Sequence, residues 1–347
     1  MSPLLMKKRH VRGIQVGTKN GCVEGFQIKC DRGPVNIFLG IPYADPPVGE
    51  LRFKKTHPVS SWNGILECKK YQRRAPQIDH IWDKISIRIG TSEDCLYLNI
   101  IAPDWKSPPS QPNGFAVLFF IHGGGFLVDS AVRYHYSNLA RMLAVHNIII
   151  VTIQYRLGYL GFFSTNDNNC IGNFGLWDQV TALKWISENI VYFGGDPKRI
   201  TVAGHSAGAA SADLLSLSPY SRNLFNRLIL MGGNAECPWA ISPKEKVAEC
   251  SKKKAEKLGW KGDNNYDMIR YLRTLPSEKF ADEMINNEVI TETASLPMTP
   301  IIDGDLLPAS IHDLRQQVDV KRTIIGVCEY EALLFGNLDS SYRYLCC

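Results

Sequence analysis

Three short runs of the chain are apolar on both of their faces. Phe115–Ile121 reads F-A-V-L-F-F-I, Ile148–Ile153 reads I-I-I-V-T-I, and Ile200–Ala203 reads I-T-V-A. Short, β-branched and aromatic segments bounded by turn residues predict buried strands, and a strand without alternation predicts a sheet covered by helices on both sides. Between the second and third run, Leu176, Val180, Leu183, Ile186 and Ile190 recur at helical spacing, after Gly172-Asn173-Phe174-Gly175 and before Phe193-Gly194-Gly195-Asp196-Pro197. Ala207–Leu217 is rich in alanine and leucine and stops short of Pro219, which predicts a second helix. Leu228–Met231 and Thr323–Val327 add strands. Residues 13–43 instead alternate apolar and polar positions around Asn20-Gly21 and Arg32-Gly33-Pro34, which predicts an antiparallel hairpin at a sheet edge, and Ser92–Ile100 ends as a strand. Residues from about 240 to 290 turn amphipathic and charged, predicting a helical cap or peripheral insertion. Repeated alternation of strand and helix places the chain in the α/β class, with a central, mostly parallel sheet flanked by helices in one domain over residues 1–347.

Composition narrows the function more than the fold. With 45% hydrophobic and 21% charged residues in 347, the chain has a globular balance. Its net charge of +5 is mild and dispersed, and Lys252-Lys253-Lys254 reads as the wet face of a helix, so no nucleic-acid partner is expected. The apolar runs are of strand length, so no membrane span is expected. No zinc spacing, phosphate-binding loop or internal repeat is present, and neither a metal nor a cofactor is expected. The first residues, M-S-P-L-L-M-K-K-R-H, lack an apolar core of signal-peptide length; the chain as written reads as intracellular, or as secreted or lumenal if its true start lies upstream.

Candidate chemistry sits where the third strand meets the second helix. Gly204-His205-Ser206-Ala207-Gly208 is a G-x-S-x-G pattern on a strand-to-helix corner. A serine there is lifted out of the sheet on a strained backbone, and the helix after it turns free N–H groups toward any negative charge developing on a bound acyl oxygen. An idle glycine-rich turn is the plainer alternative. A second glycine cluster, Gly123-Gly124-Gly125, directly follows Phe115–Ile121, and consecutive glycines let successive amides converge on one point, as an oxyanion hole requires. His122 beside it reads as a hydrogen-bonding neighbour of the loop, not as a base.

These segments together resemble the type-B carboxylesterase and cholinesterase family of α/β-hydrolases. The landmarks stand in the family's order across nearly the whole chain: F-L-G-I-P-Y-A (38–44), S-E-D-C-L-Y-L-N (92–99), H-G-G-G-F (122–126), Y-R-L-G-Y-L-G-F (155–162), G-N-F-G-L-W-D-Q (172–179), F-G-G-D-P (193–197), G-H-S-A-G (204–208) and P-I-I-D-G (300–304). The resemblance implies an α/β-hydrolase fold and hydrolysis of small-molecule esters through an acyl-enzyme. Ser206 matches the nucleophile, and Gly124, Gly125 and Ala207 match the oxyanion-hole donors. Glu331, after the strand at 323–327, matches the acid; Glu329 is its competitor, and Ala332 stands where a glycine is usual. Cys68 and Cys95 match a family disulfide. Trp82, inside the loop those cysteines bound, is offset from the tryptophan that cholinesterases use for quaternary ammonium, so choline specificity is not expected.

Two departures stand out. Met231-Gly232-Gly233-Asn234 replaces a more usual glutamine-serine-glycine, changing one polar neighbour of the site. None of the eight histidines (His10, His57, His80, His122, His135, His146, His205, His312) matches the family's catalytic base, which follows far beyond the acid, whereas sixteen residues follow Glu331 here. The expectation is therefore a domain whose C-terminal part is missing and a chain that is inactive as it stands. The alternative is a non-catalytic binding or adhesion protein on the same fold.

Overall fold

A computed structural model of the chain describes residues 13–79, 81–281, 296–329 and 331. The turn signals near the start shape a meander: β1 (Gly13–Gly17), β2 (Cys22–Lys29) and β3 (Pro34–Pro42) pair antiparallel, and the short β4 (Ile65–Glu67) lies parallel to β2. The expected edge hairpin is thus three strands, not two. α1 (Ile81–Ser86) and β5 (Tyr97–Pro103) follow, and β5 pairs antiparallel with β3 and with β7 (Ile148–Ile153). Then strand and helix alternate: β6 (Phe115–Ile121), α2 (Tyr136–Met142), β7, α3 (Gly158–Phe162), α4 (Phe174–Asn189), β8 (Gly195–His205), α5 (Ala207–Leu217) and β9 (Arg227–Met231). The helices α6 (Lys244–Lys257), α7 (Asn265–Arg273) and α8 (Ile311–Gln316) precede β10 (Arg322–Gly326).

The sheet runs β1-β2-β3-β5-β7-β6-β8-β9-β10, and its second half, β7 to β10, is parallel throughout. Steps from β7 to β8, β8 to β9 and β9 to β10 move in one direction across the sheet. Right-handed crossovers therefore put α4, α5 and α8 on one face, while the backward step from β6 to β7 puts α2 on the other. The burial of β6 follows this division. Phe115, Val117, Phe119 and Ile121 are buried, but Ala116, Leu118 and Phe120 are only half-buried. On the second face the cover by described residues is partial. There Leu118, Phe120, Ala203, Ile229 and Met231 floor an apolar trough of about 520 Å³, bounded by Leu139 of α2 and by Leu143 just after it. β10 is exposed at every residue, with Ile324 at 66% and Ile325 at 64%.

Two buried ion pairs lock the loops to this frame. Arg156 and Asp178 are almost fully enclosed; the guanidinium Nε and Nη2 donate to Asp178 at 2.8–3.1 Å, and the remaining nitrogen reaches the Lys54 carbonyl at 2.9 Å. Arg52 donates to both oxygens of Glu93, at 2.6 and 2.7 Å, and to the carbonyls of Leu272 and Leu275. The second pair thereby fastens the end of α7 to the segment before β5. Each charge is stabilised in a low-dielectric interior by a matched fork of hydrogen bonds.

Candidate active site

Register brings the ends of four strands into one row. Ile121 of β6 lies beside Gly204 of β8, His205 beside Met231 of β9, and Met231 beside Gly326 of β10. The segments that leave those ends, His122–Gly125, Ser206, Gly232-Gly233 and the turn bearing Glu331, consequently share the carboxyl edge of the parallel half. Ligands of open α/β sheets bind at this edge.

Ser206 adopts φ +54° and ψ −121°, a conformation that a Cβ disfavours. The surroundings over-determine it. Its N–H donates to the Met231 carbonyl at 2.7 Å, and its own carbonyl accepts from Ala209 and Ala210 at 2.9 and 3.0 Å. The flanking glycines are required by contact: a Cβ on Gly204 falls on the Gly208 carbonyl, and a Cβ on Gly208 comes within 2.6 Å of the His122 carbonyl. The Ser206 side chain caps no amide of α5 and is half-buried, so Oγ remains available. Ala207 begins α5 and is fully buried, and the first amides of a helix have no intrahelical acceptor.

The glycine loop lies directly alongside. A Cβ on Gly123 would stand 3.3 Å from Ser206 Cβ. All described peptide bonds are trans, so each N–H points opposite to the carbonyl before it. The Gly123 carbonyl is engaged by His122 Nδ1 at 3.1 Å, and the Gly124 carbonyl by the amides of Leu127 and Val128, both at 3.0 Å. The amides of Gly124 and Gly125 are therefore turned out of these contacts, and among the described residues neither has a backbone acceptor. His122 is 1% exposed and stacks on Tyr155 at 4.4 Å; burial lowers its pKa and holds the ring neutral, with Nδ1 as the donor to Gly123. Its Nε2 has no partner among the described residues.

Glu331 is half-buried in a turn, where its Oε2 accepts from the Cys328 amide at 2.7 Å. Its Oε1 occupies the space that a Cβ on Gly232 would fill, and a Cβ on Gly233 would lie 2.7 Å from the Ser206 carbonyl. Gly232-Gly233 thus fills the gap between Glu331 and Ser206. The departure from glutamine-serine-glycine has a steric consequence that its polarity alone did not signal: bare backbone at 232 leaves room for the carboxylate. Glu329 is exposed. Asp213, which sequence reasoning missed, is a buried carboxylate on α5; its Oδ2 accepts from the Ala235 amide at 2.9 Å and from Arg315 of α8 at 2.6 Å. A lone acid within an alanine- and leucine-rich helix was the signal for it.

The structure does not join the remaining predicted pair. Cys68 and Cys95 are separate free thiols in the core; burial pushes Cys68 up to about 12 and Cys95 well above its ordinary value. The hydrogen bonds of the described histidine rings go to Gly123, Ser137 and Gln316, and none goes to Ser206. His10, His80, Ala332 and the side chain of Trp82 lie outside the described residues. Among the described residues no group of three His, Cys, Asp or Glu side chains is placed to hold a metal, and no helix is long and apolar enough to cross a membrane.

Comparison with known proteins gives one consistent set of similarities. The profile of the carboxylesterase family matches residues 12–343. The chain is 39% identical to Esterase cest-33 of Caenorhabditis elegans over 324 residues, covering 93% of this chain and 58% of that protein. It is 37% identical to a cholinesterase of Mus musculus over 336 residues, 92% of this chain and 54% of the relative. Neuroligin-3 of Mus musculus is 34% identical over 339 residues, 87% of this chain and 40% of the relative. The chain therefore spans roughly half the length of the curated relatives it matches.

Proposed function

The chain belongs to the carboxylesterase family and has its α/β-hydrolase fold, and from that premise we propose that it carries the nucleophilic half of a serine carboxylic-ester hydrolase. Ser206 Oγ attacks the ester carbonyl. The developing oxyanion is met by the amides of Gly124, Gly125 and Ala207, which require no reorganisation at the moment of reaction. Glu331, backed by Gly232, orients an imidazole that takes the Oγ proton and returns it to the leaving alcohol. Collapse releases the alcohol and leaves the acyl group on Ser206 for water to remove. The observation that carries this reading is the backbone of Ser206, held at φ +54° beside a glycine loop whose amides are unspent.

The orienting acid has no histidine partner among the described residues. Without such a base, an oxyanion hole and substrate binding retain roughly a thousand- to ten-thousand-fold acceleration over water, far below a complete triad. A non-catalytic binding role on the same frame is the second reading. It is favoured by the similarity to Neuroligin-3.

An activated fluorophosphonate separates the two readings. Covalent labelling of the wild-type chain that Ser206→Ala abolishes supports the hydrolase. Equal and negligible labelling of both proteins with imidazole supplied as the base removes it.

A further inference from the structure

The segment between Cys68 and Cys95 reaches the glycine loop from a distant part of the sequence and grips it at two points. Gln77 Oε1 accepts from the Asp129 amide at 2.8 Å, and Gln77 Nε2 donates to the Asp129 carbonyl at 2.9 Å. One buried carboxamide thus satisfies both backbone groups of one residue. The second grip is ionic: Arg133 donates from Nη2 to Asp83 at 2.6 Å and from Nε to Asp129 Oδ1 at 2.7 Å. The gripping segment is itself fixed, since Arg74 donates to both oxygens of Asp79 at 2.6 and 2.7 Å and to the Ile89 carbonyl at 2.7 Å.

Asp129 needs such support. Its φ of +82° is uncommon for a residue with a side chain and persists only where neighbours over-determine it. The constraint then travels along covalent and hydrogen-bonded links already described. Asp129 follows Val128, whose amide donates to the Gly124 carbonyl at 3.0 Å. A Cβ on Gly124 would collide with the Val128 carbonyl, so the turn is closed as tightly as glycine permits. The direction of the Gly124 carbonyl fixes the opposite direction of the Gly125 N–H, because the two belong to one trans peptide.

We infer that Gln77 is a positioning residue for the oxyanion hole: its carboxamide locks Asp129, which holds the Gly124–Val128 turn closed and aims the Gly125 amide. The inference rests on the hydrolase reading of Ser206. Gln77 touches no substrate. It acts through the loop, and a positional error of about 1 Å at such a donor costs on the order of 100-fold in rate. The Arg133 strap alone leaves the backbone groups of Asp129 without partners, so it does not substitute for the carboxamide.

The test uses Gln77→Met, which keeps length but removes both hydrogen bonds, and Gln77→Glu, which keeps the acceptor for the Asp129 amide and loses the donor. Two quantities are read: hydrogen exchange of the amides from 123 to 130, and the fluorophosphonate reaction of Ser206 resolved into reagent affinity and bond-forming rate. Gln77→Met should exchange faster and form the bond about 10- to 100-fold more slowly at unchanged affinity, with Gln77→Glu in between. A bond-forming rate equal to wild type in Gln77→Met overturns the inference, as does a loss confined to reagent affinity. If Gln77→Met does not fold, Gln77→Glu decides alone, and a wild-type rate in it is refuting. Wild type that, with imidazole supplied as the base, labels no better than Ser206→Ala fails the hydrolase reading itself and takes the inference with it, an outcome distinct from a labelled wild type with an equally labelled variant.

Discussion

If the bend at Ser206 is imposed by its surroundings, the side chain at that position works against the fold. The perturbation that isolates this is Ser206→Gly compared with Ser206→Ala. Both remove Oγ, but only alanine keeps the Cβ that φ +54° and ψ −121° disfavour. Backbone strain of this kind costs about 1–3 kcal/mol. Glycine also loosens the unfolded chain, which returns about 0.4–1 kcal/mol in the opposite direction. With the correction subtracted from the strain at mid-range, Ser206→Gly should be the more stable of the two by about 1.3 kcal/mol. The three backbone partners of the turn (Met231, Ala209 and Ala210) and the close approach of Gly204 to Gly208 are common to both variants and cancel. Urea unfolding followed by tryptophan fluorescence, with equal slopes for the two proteins, reads the difference as a shift in midpoint. A Ser206→Ala midpoint equal to or above that of Ser206→Gly refutes the reasoning, because the turn then tolerates a Cβ without strain.

Other outcomes follow from buried charge, burial and reach. Asp178→Ala leaves the Arg156 guanidinium enclosed without its counter-ion and should cost about 3–5 kcal/mol, read by urea unfolding; a loss under 1 kcal/mol contradicts the pairing. His122 has its folded pKa lowered by burial, so below its ordinary value of 6.5 the unfolded chain binds a proton that the folded chain does not. Its contribution is intact above pH 6.5 and is lost as the pH falls toward the lowered folded value; a stability–pH curve for His122→Gln should be flatter over that interval. Glu331→Gln should slow fluorophosphonate labelling of Ser206 wherever a histidine base is supplied, and an unchanged rate moves the orienting role to another residue. Among the described cysteines, exposed Cys328 should be alkylated first at pH 8, while buried Cys68, Cys95 and Cys170 stay protected until unfolding, as peptide mass mapping will show.

What the sequence disclosed and what it hid follow from the range of the interactions involved. The spans of β6, β7 and α5 coincide with their apolar runs because burial and local propensity act in the same direction there. β8 starts at Gly195, earlier than its apolar run, because Gly195 pairs across to Phe115 despite the turn-like Gly-Asp-Pro sequence. The half-open second face of β6 was invisible for a different reason: an apolar strand reads the same whether a helix covers it or not. In the candidate site, the strand-to-helix turn at Ser206 and Ala207 and the glycine loop were legible because each belongs to one contiguous motif. Gln77 was not. Its partner Asp129 lies 52 positions away, and nothing in the local composition of either segment announces a carboxamide laid against a strained backbone.

The corner at residue 206 is shaped by glycine contacts at 204 and 208 and by main-chain partners on β9 and α5, none of which involves the hydroxyl. Form and reactivity are therefore separable in this architecture. A descendant that abandoned ester chemistry would retain the same sharp corner with any small side chain in place of serine, since removing the hydroxyl releases none of the forces that bend the chain.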